Sequence, residues 1–98
     1  MRHATPAALD QLEPLLFELR RLRLLKEKNR GCFYRGASAF LHFHEDPAGL
    51  FADVKLDGQD FARRRVSTQA EQRALVAAVR RALTARSAPR SRAAARRS

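Results

Sequence analysis

Apolar positions along the chain change period twice, and the changes predict an order of helix, strands, helix. From Leu9 onward, leucines recur at Leu12, Leu15 or Leu16, Leu19 and Leu22, the spacing of one apolar stripe on a helix. Thr5-Pro6 supplies its start, since a threonine oxygen caps free N–H groups and proline suits the first helical position. Pro14 interrupts the stripe, because an interior proline loses a hydrogen bond and clashes with the turn before it. The expectation is either a kink or a short first turn followed by a new helix at Pro14. Lys26, Lys28 and Arg30 stand where cations favour a helix C-terminus, with Asn29 or Gly31 to close it.

The middle of the chain alternates instead. Residues 32–35 read as a short strand, with Gly36-Ala37-Ser38 as the turn out of it. Residues 39–44 and 50–56 form a central hairpin around Glu45-Asp46-Pro47-Ala48-Gly49, and Asp57-Gly58 marks another turn. Residues 60–66 make a shorter fourth strand, with Phe61, Arg63 and Arg65 alternating against Ala62, Arg64 and Val66. Thr68 and Glu71 then spell a capping box ahead of a last helix, whose buried stripe is Leu75, Val79 and Leu83 joined by Val76 and Ala82. The periodicity fails beyond about Thr84. These elements predict a single α+β domain over residues 1–84. It has two layers: an antiparallel meander of three to four strands, and N- and C-terminal helices packed on one of its faces (α-β-β-β-β-α). Residues 85–98 are expected to be a disordered, arginine-rich tail.

Face matching also gives the hairpin a register. Leu41 and Phe43 must share a face with Leu50, Ala52 and Val54, the face that meets the helices. A four-residue loop from Glu45 to Ala48 then pairs His44 with Gly49, Phe43 with Leu50, His42 with Phe51, Leu41 with Ala52 and Phe40 with Asp53. Phe40, His42, His44, Phe51, Asp53 and Lys55 are left on the opposite, open face.

Composition narrows the functions. A chain of 98 residues has room for one core, and no apolar run approaches the length that spans a bilayer, so no membrane partner is expected. Asp10 and Glu13 follow the N-terminus closely where a secretory signal would be apolar. Cys32 is the only cysteine, which excludes an internal disulfide and fits a reducing cytoplasm. The net charge is +10, and five of those charges lie in residues 85–98, which hold no acid. Such a tail adds nonspecific, salt-sensitive affinity for phosphates, and is also a common product of GC-rich coding.

Candidate chemistry concentrates on the open face. His42 and His44, two apart on a strand, project together, and with Glu45, Asp46 or Asp53 could supply ligands to a zinc-like ion. Spacing marks no third ligand and His3 lies in a terminus expected to be mobile. Packing of His42 on Phe51 is therefore the expected role, with no metal or cofactor. Glu45 and Asp46 read as turn chemistry rather than acid–base machinery. No P-loop, dinucleotide glycine motif, Ser-His-Asp signature or cysteine-rich zinc motif is present, and no enzyme is expected. Phe40, His42, Phe51, Lys55, Arg63 and Arg65 together resemble what a nucleic-acid strand needs, rings for bases and cations for phosphates. Charge on an edge strand also serves to prevent aggregation. Phe17 and Leu24, off the leucine stripe, suit a protein partner or a homodimer instead. Both readings stay open at this point.

The stretch Phe40-Leu41-His42-Phe43-His44-Glu45-Asp46-Pro47-Ala48-Gly49-Leu50-Phe51-Ala52-Asp53, with Arg63 to Ser67 and the helix after it, resembles small bacterial proteins with the same type of core. More distantly, residues 9–84 resemble the MmcQ/YjbR-like group of small α+β proteins. That resemblance implies a DNA-binding role and transfers no site residues. The chain is shorter than that group and lacks its later strands.

Overall fold

The computed structural model describes residues 1–87. In chain order these form β1 (Arg2–His3), α1 (Pro6–Gln11), α2 (Glu13–Arg20), β2 (Lys26–Asn29), β3 (Cys32–Arg35), β4 (Ser38–Asp46), β5 (Gly49–Val54), β6 (Ala62–Arg65) and α3 (Gln69–Ser87). The fold is α+β, with the helices against one face of an antiparallel sheet.

Proline divides the leucine stripe by the second of the two expected routes. Thr5 Oγ1 accepts from the Ala8 N–H at 3.3 Å and opens α1. Leu12 closes it by donating to the Ala8 and Leu9 carbonyls, and Pro14 falls in the first turn of α2, where its missing N–H has no partner to lose. The stripe stays continuous across the break: Leu12, Leu16 and Leu19 are fully buried and Leu15 nearly so.

One expected element is corrected. Lys26–Asn29 is not the end of a helix but β2, paired with β3. The helix stops at Arg20 because the chain must turn to bring Leu25 into the core. The β2–β3 turn passes through Gly31 at φ +79°, a conformation side chains resist, and a Cβ there would stand 2.8 Å from Leu9 Cδ2. Glu27 ties the turn down, accepting from Gly31 N–H at 2.8 Å and from the Arg20 guanidinium.

Burial raises the Glu27 pKa, but the hydrogen bonds from Arg20 and Gly31 outweigh it, and the carboxyl titrates below its ordinary value. A depressed folded pKa means that stability from this group is present above the unfolded value, about 4.3, and is lost as pH falls through the folded one. Glu27→Gln is accordingly expected to flatten the acid limb of a stability–pH curve measured by urea unfolding. A limb of unchanged slope would show that Glu27 contributes nothing to it.

The sheet runs in the order β2-β3-β4-β5-β6, and β1 pairs with the far half of β4, where β3 has ended. His3 therefore lies opposite His44 in a strand, not in a mobile terminus. The central hairpin keeps its expected faces but not its register. Asp46 pairs with Gly49, His44 with Phe51, Phe43 with Ala52, His42 with Asp53 and Leu41 with Val54. The loop is Pro47-Ala48 alone: Asp46 Oδ1 accepts from Ala48 N–H at 2.8 Å and closes the turn, so that pairing runs two residues further along β4 while Gly49 is still the first paired residue of β5. The register moves by two residues, which preserves the side-chain alternation.

The second correction is at Phe40. Phe33 pairs with Leu41 and Tyr34 with Ala39, so Phe40 has no opposite number on β3 and sits in a β-bulge. The bulge breaks the alternation, and Phe40 joins Leu41 in the core at 2% exposure instead of lining the open face. The core otherwise takes the expected residues: Leu41, Phe43, Ala52 and Val54 from the sheet, with Leu75, Val79 and Leu83 from α3. Glu71 Oε1 accepts from Thr68 N–H at 3.0 Å and Thr68 Oγ1 accepts from Glu71 N–H at 3.1 Å, the reciprocal capping box. Helix α3 reaches Ser87, beyond the expected limit at Thr84, and the tail expected over the remaining residues, 88–98, lies outside the described residues. No helix among the described residues is long and apolar enough to cross a membrane.

Candidate binding face of the sheet

Alternation sends His42 and His44 from β4, Phe51 and Asp53 from β5, and Arg63 and Arg65 from β6 to the face away from the helices. The cross-strand register aligns them in two rows: His42, Asp53, Arg63 and His44, Phe51, Arg65. Asp53 is the centre of the first row and is only 8% exposed. Arg63 grips it in a fork, Nε to Oδ1 and Nη2 to Oδ2, both at 2.8 Å. The guanidinium beside Asp53 holds its carboxyl below the usual range, against the opposing effect of burial.

Two imidazoles flank this carboxylate, and a third stacks on one of them. Asp53 Oδ2 lies 3.2 Å from His44 Nε2 and 3.7 Å from His42 Nε2. The His42 and His44 rings meet edge to face with centroids 4.9 Å apart, and His3 stacks on His44 at 4.9 Å. Burial, then the neighbouring His44, lowers the His42 pKa, so that ring is neutral at pH 7. His44 Nδ1 is buried with no hydrogen-bond partner among the described residues.

Rings and cations surround the cluster. His42 packs edge to face on Phe61, not on Phe51 as its expected register implied. Lys55 Nζ stands 5.0 Å from the Phe61 ring centre, and the Arg65 guanidinium 5.8 Å from that of Phe51. Arg65 also donates to the Ala48 carbonyl at 2.8 Å and lies 3.5 Å from Glu71. Of the six residues expected to meet a nucleic acid, His42, Phe51, Lys55, Arg63 and Arg65 are on this face or at its edge, and Phe40 is not.

His3, Asp53 and Phe61 complete the face. Phe61 was legible, since it alternates in step with Arg63. Asp53 was expected on this face and as one possible ligand, but its place opposite His42, like that of His3 opposite His44, depends on pairings that no local pattern specifies. Glu45 and Asp46 are occupied structurally: Glu45 Oε2 accepts from Thr5 N–H at 2.6 Å, and Asp46 closes the turn. A groove of about 490 Å³ between α2 and α3, lined by Pro14, Leu15, Val76, Arg73 and Arg80, lies in the other layer. Comparison with protein-family models, curated proteins and solved structures finds no match.

Proposed function

We propose that this chain is a small binding domain that takes a single-stranded nucleic acid across the open face of its sheet. The observation that carries the reading is the interleaving there of rings and cations: Lys55 with Phe61, and Arg65 with Phe51. Bases stack on the rings while the cations meet phosphates. The face holds a carboxylate, Asp53, that would repel a phosphate, and Arg63 neutralises it. Such a role belongs in the cytoplasm, and the distant resemblance to the MmcQ/YjbR-like group points the same way.

The test is anisotropy of labelled single-stranded DNA and RNA oligomers at two salt concentrations. Binding is expected to weaken as salt rises and to fall about tenfold or more in Lys55→Glu/Arg65→Glu, which leaves the Asp53–Arg63 fork in place. Absence of binding, or binding indifferent to both changes, overturns the reading.

A second reading rests on Phe17, which is 58% exposed with Leu24 at 48% on the helical layer. A surface of that kind suits a protein partner or a second copy of the chain. It requires concentration-dependent sedimentation that Phe17→Ser abolishes and Lys55→Glu/Arg65→Glu leaves unchanged.

A further inference from the structure

We propose that His42, His44 and Asp53 form a binding site for a divalent transition-metal ion of the zinc class, with His3 at its border. The proposal stands independently of nucleic-acid binding. It departs from the expectation that the histidines only pack, and the reason is the register. With His42 opposite Asp53, and His44 diagonal to it, the strands supply the third ligand that spacing along the sequence does not mark.

The geometry suits a small ion. One donor atom from each of the three side chains lies within 4.8 Å of the others. Nitrogen and oxygen ligands about 2.0–2.1 Å from a tetrahedral ion stand about 3.3 Å from one another. The separations of Asp53 Oδ2 from His44 Nε2 and His42 Nε2, 3.2 and 3.7 Å, bracket that value. Two imidazoles and one carboxylate are a donor set that zinc, cobalt and nickel accept. All three side chains are mostly buried, with 24%, 14% and 12% of the side-chain surface of His42, His44 and Asp53 exposed, so little reorganisation is needed.

Two features distinguish this cluster from a structural hydrogen-bond network. Arg63 holds both Asp53 oxygens but approaches from β6, the strand opposite the histidines, so it fixes the carboxylate in the manner of an outer-shell partner. His44 has one nitrogen facing Asp53 and the other, Nδ1, buried and unpartnered among the described residues. A histidine placed only for packing or structure ordinarily satisfies both. Metal binding at Nε2 fixes the ring proton on Nδ1. His3, whose ring is 4.9 Å from that of His44 and 5.9 Å from that of His42, borders the site without joining its set of donor atoms, and water fills the open positions.

The full chain, stripped with chelator, is titrated with Co²⁺ and then Zn²⁺ in the absence of nucleic acid. One equivalent of Co²⁺ is expected to give the visible d–d bands of a four- or five-coordinate site, which Zn²⁺ abolishes. His42→Ala and His44→Ala are each expected to weaken the ion about tenfold or more, at least the loss typical of an outer-shell partner. Cys32→Ser is expected to change nothing. Because an alanine at either histidine also removes its packing on the sheet, the unmodified protein provides a second readout. In a Zn²⁺ titration followed by NMR, the imidazole signals of His42 and His44 are expected to move together and saturate at one ion per chain. Absence of saturable binding, or a response confined to His3 or Cys32, overturns the proposal.

Discussion

Phe40→Ala is expected to destabilise the domain by about 3–5 kcal/mol, the range for deleting a fully buried aromatic side chain. Phe40 is 2% exposed and belongs to the main core cluster. A regular strand would have left it on the open face, where truncation costs about 0.5 kcal/mol or less. The whole stability of a small domain is about 5–15 kcal/mol, so the substitution removes a large fraction of it. Urea unfolding separates the cases. A midpoint shift worth less than about 1 kcal/mol would mean that Phe40 faces solvent and that β4 runs without a bulge. Phe51→Ala is the matched control, since Phe51 is only half-buried.

Gly49→Ala is expected to cost about 2–3 kcal/mol, although it changes a turn and touches no core residue. Gly49 has φ +140°, in a region that is essentially glycine's own, and a forced residue there stores about 1–3 kcal/mol of strain. A Cβ at this position would also stand 2.4 Å from Ser67 Oγ. That hydroxyl accepts from Leu50 N–H at 2.9 Å, and moving it leaves the amide half-buried without its partner, a further cost of about 1 kcal/mol. Thermal and urea unfolding of the variant measure the sum. A loss below about 0.5 kcal/mol would show that the turn relaxes without strain.

Both predictions concern places where local pattern and tertiary pairing part company, and that boundary describes how much of the molecule was legible. The two helix starts were readable because each is a short-range device: Thr5 before Pro6, and Thr68 with Glu71 three residues on. The apolar face of the hairpin was readable because a period of two decides it. A slip of two residues changes no face, so alternation could not choose between the four-residue loop and the observed Pro47-Ala48 turn. The site depends on that choice. In the expected register Asp53 lies across from Phe40, and His42 from Phe51. In the observed one Asp53 stands beside two imidazoles and under a guanidinium. Helix cations were the misleading signal at Lys26 to Arg30. Glu27 among them pairs backwards with Arg20 and forwards with Gly31, contacts that only a strand and its turn allow. The bulge at Phe40 has no marker in composition at all, for an insertion of one residue is visible only against its partner strand.

The alternation that places Leu41, Phe43, Ala52 and Val54 against the helices has a further result. Folding and binding draw on two largely separate sets of side chains, divided by the plane of the sheet. His42, His44, Arg63 and Arg65 can be exchanged without opening a void among Leu41, Phe43, Ala52 and Val54, because their side chains leave the sheet on the face away from that cluster. The surface chemistry is therefore free to vary on a constant scaffold. Asp53 is the exception, a charged group with the burial of a core residue, and it is the position at which a change of ligand would also have to preserve the fold.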